Sequence, residues 1–320
     1  MSAPTRRSRR LRAPAKINLG LRILGVREDG YHTLESVFAP VEVWDDLEIE
    51  ITEGEHAIEL RIDDAIAGEQ SETSEALPEA LSAVGDGPDN LVVRAAEAFC
   101  KETGCQGRIR LTLHKGIPAG AGLGGGSSDA AATLAGLAEL HDGRMSSDAL
   151  RTIALGLGAD VPFFLDPTPA LVGGIGEEIE PISGLPGFDL VLANPGISLA
   201  TAEVYRATDA LRGALTEPRP GSTMRAISKL RSEIGNLVPA LGDLLINDLE
   251  PAARRLCPPV ARLLGRLRDV GALGVSMSGS GATVFGVFES GDQARRAAEA
   301  LRVSESGGTW IRVTRIIASG

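Results

Sequence analysis

Along the chain the apolar positions change repeatedly between a period of two and a period near 3.6, which predicts strands mixed with helices. Ile17, Leu19, Leu21 and Ile23 alternate as one strand, Asp29-Gly30 makes a turn, and residues 31–43 return as a second strand. Lys16 and Asn18 then point to the face opposite Ile17 and Leu19. A helix opens at Asp89-Asn90-Leu91 with Asp89 as its cap and runs to about Lys101. Ile109, Leu111 and Leu113 mark a strand over 108–114. Ala131, Leu134, Leu137, Ala138 and Leu140 mark a helix over 129–141, and another covers 147–157. Residues 167–188, rich in Pro and Gly, read as a boundary plus a hairpin, so the domain change falls near Leu165, giving domains 1–165 and 166–320. Beyond it come a strand at 189–193, a helix from about Glu203, helices at 224–234 and 250–270, and a strand–turn–strand over 271–288. A helix at 293–301 and a strand at 310–317 close the chain. Antiparallel returns among these elements predict an α+β sandwich for the second half. No internal repeat is present.

Between the 108–114 strand and its following helix lies KGIPAGAGLGGGSSDAAA, with six glycines from Gly116 to Gly126 and then Ser127 and Ser128. Glycine lets backbone N–H groups approach a ligand with no Cβ in the way. The free N–H groups and positive dipole end of a helix N-terminus favour an anion. The stretch therefore reads as a phosphate cradle, with the adjacent serines as good helix caps; the alternative is a flexible linker or plain turn. No G-x-x-x-x-G-K-[ST] occurs, which excludes the common P-loop. Gly120, Gly122 and Gly125 satisfy G-x-G-x-x-G, with Glu139 at a plausible distance for a ribose contact. A dinucleotide fold makes a shorter turn in its first βα unit, however.

Composition narrows the class. The chain of 320 residues is long enough for about two domains, and its 43% hydrophobic content is ordinary for a soluble α/β enzyme. No run of eighteen apolar residues is present. Cys100, Cys105 and Cys257 lack metal-ligand or CxxC spacing and read as reduced thiols of a cytoplasmic protein, and the four histidines are scattered, so no protein-borne metal site is expected. The net charge of −11 is uneven: fifteen acidic residues face one basic residue between Asp45 and Asp89, leaving the rest slightly positive, as anionic substrates require. Residues 65–88 read as a mobile surface insertion and the five arginines up to Arg12 as a short disordered tail. Taken locally, Lys16 is an edge charge or a catalytic group, Tyr31 and His32 are hairpin packing or contacts, and Asp160 is a helix cap or a base.

Three ordered stretches, PAKINLGLRILGVREDGYH, PAGAGLGGGSSDAA and MSGSGATVF, resemble the signatures of the GHMP kinases. With LGADVPFFL, NPGISLAT and NDLE, the resemblance runs from Leu11 to Ile317, less the acidic insertion and the loop near Pro218. It implies a two-domain α+β GHMP kinase fold: a ribosomal protein S5-like ATP-binding domain, then a ferredoxin-like α/β sandwich. The implied reaction is ATP-dependent phosphorylation of the C2 hydroxyl of a cytidine-diphosphate-linked methylerythritol, in the non-mevalonate route to isoprenoids. Pro118, Ala119, Gly120, Ala121, Gly122, Leu123, Gly124, Gly125, Gly126, Ser127 and Ser128 would wrap the ATP phosphates, with Mg²⁺ bound mainly through those phosphates; Glu139 is a weak possibility as its ligand. Asp160 would take the proton from the acceptor hydroxyl, with Lys16 beside both. Asn18, Tyr31 and His32 would hold the cytidine diphosphate, Tyr205 would stack on cytosine with Phe38 nearby, and Thr201 would complete the pocket. Asp129 stands where relatives often carry Asn. Small molecules alone are implied as partners, with no nucleic acid and no membrane, for a monomer or weak homodimer. A GHMP-fold sensor without turnover is the competing class; it would have no need of both Lys16 and Asp160.

Overall fold

The computed structural model describes residues 6–64, 84–141, 145–211, 223, 237–305 and 308–318. Most of the expected acidic insertion, the loop around Pro218 and the helix expected at 224–234 lie outside these residues. The chain divides into two compact units, one of residues 1–15, 43–119 and 124–167, the other of residues 16–42, 120–123 and 168–320.

The first unit is built on the outer ends of two long strands, β1 (Arg6–Val26) and β2 (His32–Thr52), with β3 (Ala57–Asp64) and β4 (Arg108–Lys115). β1 pairs with β2, β4 runs antiparallel to β2 from Asp46↔His114 to Thr52↔Arg108, and β3 runs parallel to β4. Period-two alternation buries Leu47, Ile49 and Ile51 of β2 and Ile109, Leu111 and Leu113 of β4. Helices α1 (Leu91–Thr103), α2 (Gly125–Leu140) and α3 (Ser147–Leu157) pack on one another. α2 is apolar nearly all round and buried along most of its length, as a central helix must be. The cap of α1 is Asn90, whose side chain accepts from the Val92 N–H at 2.9 Å, and not Asp89.

The arginines expected to form a disordered tail instead lie in β1 from Arg6 onward. Arg6 pairs with Glu50 at 2.6 Å, Arg10 with Glu48 at 2.7 Å and Arg9 with Glu139 at 2.6 Å. Each exposed pair is worth little alone. The alternating acids of β2 give the arginines partners, and that cross-strand match has no apolar period to announce it.

In the second unit the remaining part of β1 turns into β2 through Arg27 N–H bonding the Tyr31 carbonyl at 2.7 Å, with Gly30 at φ +86°. β2 pairs antiparallel with β5 (Ala170–Gly173), which forms the expected hairpin with β6 (Glu178–Pro181). A separate antiparallel sheet follows the order β10-β7-β9-β8, where β7 is Asp189–Asn194, β8 Gly274–Met277, β9 Val284–Phe288 and β10 Trp310–Arg315. The unit's helices are α4 (Thr201–Leu211), α5 (Leu237–Leu244), α6 (Glu250–Leu256), α7 (Pro258–Asp269) and α8 (Gly291–Ser304). α7 and α8 cover the four-stranded sheet, joining Leu263, Leu267, Ala298 and Leu301 to Val191, Val284 and Ile311 in one core. The single helix expected over 250–270 is two, because Pro258 and Pro259 cannot continue α6 but suit the first turn of α7. All three cysteines are free.

Candidate functional site

The glycine-rich stretch leaves β4 and enters α2 through Gly120, Gly122 and Gly124, at φ +61°, +78° and +72°. Those left-handed conformations need glycine. α2 begins at Gly125, four residues before the helix expected over 129–141, since glycine and serine carry no hydrophobic signal. Its cap is Gly124, with no side-chain hydrogen bond, so Ser127 and Ser128 sit inside the first turn and do not cap it. The first-turn N–H groups thus have no capping side chain, as an anion site requires. Ser128 Oγ is buried with no hydrogen-bond partner.

Below this junction Lys115 donates to Asp45 and, at 2.9 Å, to Asp129 Oδ2. Asp45 Oδ1 also accepts from the N–H groups of Gly116 and Ile117, at 2.6 and 2.8 Å. Burial alone would lower the Lys115 ammonium, but the two carboxylates outweigh it and hold it above its usual range. Burial, and next the Asp45 carboxylate, push Asp129 well above the usual carboxylate range against the pull of Lys115. Asp160, in the same unit, follows α3 and is half-buried. The short 3-10 turn after it (Pro162–Leu165) has Val161 at its N-cap and no side-chain cap, so Asp160 is not that turn's cap. Glu139 forms the exposed pair with Arg9 already described.

The second unit gathers several other expected residues. Lys16, only 4% exposed, donates from Nζ to Asn18 Oδ1 at 2.6 Å and lies 4.3 Å from the Phe38 ring centre. Asn18 Nδ2 donates to Ser36 Oγ at 2.8 Å, and Ser36 Oγ to the Gly20 carbonyl at 2.6 Å. The loop residues of this unit join the network: Lys16 N–H bonds the Leu123 carbonyl, and Ser278 Oγ donates to the Gly122 carbonyl while accepting from Asn18 N–H. A Cβ on Gly122 would lie 2.2 Å from the Ser278 carbonyl oxygen, so this approach also requires glycine. His32 stacks obliquely on Tyr205, ring centres 4.7 Å apart, and Thr201 Oγ1 lies 2.9 Å from Ser280 Oγ. Tyr31 is exposed in the turn.

Sequence reasoning missed three participants. Asp209 lies one turn after Tyr205 on α4 and meets His32 Nε2 at 2.8 Å. Asn247, within NDLE, donates to the carbonyls of Met277 and Gly279, which pins the serine–glycine turn after β8. The Asp45–Lys115–Asp129 cluster was readable in principle, because Lys115 continues the inward series Ile109, Leu111, Leu113, and Asp45 precedes Leu47 and Ile49 on the same face.

Residues 90–173 match the model for the GHMP kinases N terminal domain, and residues 224–304 that for the GHMP kinases C terminal. The chain belongs to the GHMP kinase family. It is 39% identical, over 96% of its length and 98% of the relative's, to a 4-diphosphocytidyl-2-C-methyl-D-erythritol kinase of Citrifermentans bemidjiense. A kinase of the same name from Deinococcus radiodurans is 40% identical over 95% of this chain and 92% of its own. A crystal structure of a 4-(cytidine 5'-diphospho)-2C-methyl-D-erythritol kinase superimposes with a TM-score of 0.74 at 36% identity, covering 97% of this chain and all of that one. Among the described residues no helix is long and apolar enough to cross a membrane.

Proposed function

We propose that this protein phosphorylates the C2 hydroxyl of 4-diphosphocytidyl-2-C-methyl-D-erythritol with ATP, as a step of the non-mevalonate route to isoprenoids. The observation that carries the reading is the near full-length match to relatives named for that activity; the chain itself carries Lys16, the glycine loop and Asp160.

Each residue has a role suited to its chemistry. The loop over 118–128 holds the ATP phosphates through backbone N–H groups and the positive end of α2. Asp160 accepts the hydroxyl proton as the new oxygen–phosphorus bond forms and the bond to the departing ADP breaks. Lys16, held in place by Asn18 and Phe38, supplies a fixed positive charge to the transferring group. Mg²⁺ would be held mainly by the nucleotide phosphates. The unpartnered Ser128 Oγ is the oxygen this chain offers it, a donor suited to a hard cation. When bound, that ion neutralises charge on the β- and γ-phosphates. Asn18, Tyr31 and His32 hold the cytidine diphosphate substrate, with Tyr205 on the cytosine, Phe38 nearby and Thr201 completing the pocket.

The test is product identity. Incubation with ATP and the cytidine substrate should give one ADP per new phosphomonoester, located on C2 by phosphorus–carbon coupling. A phosphate on any other oxygen, or ADP without a phosphorylated product, contradicts the assignment.

A further inference from the structure

Ser36 has no part in the roles assigned above, yet it joins Lys16 and Asn18 to a fixed point of the backbone. Lys16, Asn18 and Gly20 lie two residues apart along β1, and Ser36 reaches them from β2, where it pairs with Val172 of β5. Ser36, Asn18 and Lys16 are 0%, 1% and 4% exposed, all within the second unit. The chain of bonds ends on the Gly20 carbonyl, and the backbone there is gripped from outside. Leu21 N–H bonds the Ile246 carbonyl at 2.8 Å, and Asp248 N–H bonds the Leu21 carbonyl at 2.9 Å. A Cβ on Gly20 would collide with the Leu244 carbonyl oxygen. The anchor is thus clamped main chain, with no rotamer to lose.

The direction of each bond follows from what its atoms can do. A carbonyl oxygen only accepts, so the single Ser36 hydroxyl hydrogen goes to Gly20, at 2.6 Å. Ser36 Oγ is then an acceptor toward Asn18, at 2.8 Å, which requires the Asn18 NH₂ group to face it. That turns Asn18 Oδ1 toward Lys16, whose ammonium only donates, at 2.6 Å. The reverse amide orientation would set N–H against the ammonium and an oxygen lone pair against Ser36 Oγ, both repulsive and both away from water. One hydroxyl therefore decides which way the Asn18 amide faces, and with it where the Lys16 charge stands. The Phe38 ring, 4.3 Å from Nζ, attracts the ammonium but has no bearing on the amide.

We propose that Ser36 is a positioning residue for phosphoryl transfer, fixing the Lys16 ammonium through Asn18, a role that rests on the function proposed above. A charge that stabilises a transition state has to be in place before the reaction, and a misplacement of about 1 Å can cost ~10²-fold. In Ser36→Ala the Asn18 NH₂ group loses its acceptor in a buried site, and the amide no longer has one favoured orientation. Lys16 keeps its charge but loses its fixed place. The loss falls on the transfer step, while the glycine loop keeps its hold on the nucleotide.

The test is a double-mutant cycle of the native protein, Ser36→Ala, Lys16→Met and the pair. Single-turnover transfer of labelled phosphate from ATP to the cytidine substrate, which resolves slow variants, is read beside Mg-ADP affinity by calorimetry. Ser36→Ala should lower the transfer rate at least ~10-fold and leave the ADP dissociation constant within about twofold. In the Lys16→Met background the same change should lower the rate by less than about twofold, because the ammonium it positions is gone. A purely structural Ser36 would lower the melting temperature and slow transfer by the same factor in both backgrounds. That result overturns the proposal, as does a native rate in Ser36→Ala. A native rate in Lys16→Met removes the role of Lys16 and this proposal with it, and leaves the reaction standing. Absence of transfer by the native protein removes the proposed function itself. Should Ser36→Ala fail to fold, Ser36→Cys, close in shape and weak in hydrogen bonding, carries the same expectations, and a native rate there overturns the proposal.

Discussion

His32 Nε2 lies 2.8 Å from Asp209 Oδ1, while the His32 ring rests on Tyr205. An ionised carboxylate only accepts, so Nε2 carries the proton, and in the neutral ring Nδ1 is left as an acceptor. An acceptor suits the exocyclic amino group of cytosine and opposes the carbonyl oxygen that uracil has there. His32→Ala should therefore raise KM for the cytidine substrate and relax its preference over the uridine analogue about tenfold or more. Asp209→Asn should weaken the same preference with kcat nearly kept. Tyr205→Ala should weaken both bases alike, by about 1–3 kcal/mol if it stacks on the base. A lower melting temperature with base preference unchanged in His32→Ala would leave His32 as hairpin packing only.

Asp160→Asn preserves shape and removes the proton acceptor. Turnover should fall by at least ~10² while nucleotide affinity stays near native. Single-turnover kinetics with a nucleotide titration checks both halves. Activity within a few-fold of native would make Asp160 structural.

Gly124 occupies the N-cap of α2 at φ +72°. A β-branched side chain there is strained by roughly 1–3 kcal/mol and stands where phosphate should touch the backbone. Gly124→Val should lose nucleotide binding while remaining folded by circular dichroism. Calorimetry showing native affinity would remove the loop from the nucleotide site.

The buried cluster also predicts how stability varies with pH. Lys115 is held above its usual range, so its contribution is complete below about pH 10.4 and disappears as pH climbs through the folded value. Asp129 is a carboxyl raised by burial, so the folded state holds a proton the unfolded chain has lost. Its effect therefore lowers stability as pH rises from about 4 toward the folded value. Asp129→Asn should melt above the native protein at pH 8–9, with the gap narrowing toward pH 4. Lys115→Met strands two buried carboxylates and should cost about 3–5 kcal/mol at neutral pH. Melting curves across that range check both signs; an Asp129→Asn protein equally destabilised at every pH would contradict the first.

Strands such as β4 and helices such as α3 were legible because a half-buried element writes its period into the chain. The early start of α2 was not, since Gly125, Gly126, Ser127 and Ser128 are held by backbone geometry without apolar periodicity. The break at Pro258 was visible in composition but outweighed by continuous helical spacing on either side. Within the site, Lys16, Asn18 and the glycines could be read from motifs. Asp209 and Asn247 could not, because their roles come from partners 177 and about 30 residues away in sequence. Lys115 is a different case, readable though missed: it continues the alternation of Ile109, Leu111 and Leu113 onto the buried face, and burial of an ammonium requires counter-charges.

The central claim is the identity of the phosphoryl acceptor. ADP release should be measured with the purified protein, ATP and Mg²⁺, offering 4-diphosphocytidyl-2-C-methyl-D-erythritol, homoserine, mevalonate and galactose in parallel. Release with the cytidine substrate alone, by at least ~10² over the other three, is the expected result for a site that reads the base and positions one hydroxyl. Turnover of any of the others with none on the cytidine substrate would contradict the account, as would nucleotide binding without turnover of any acceptor.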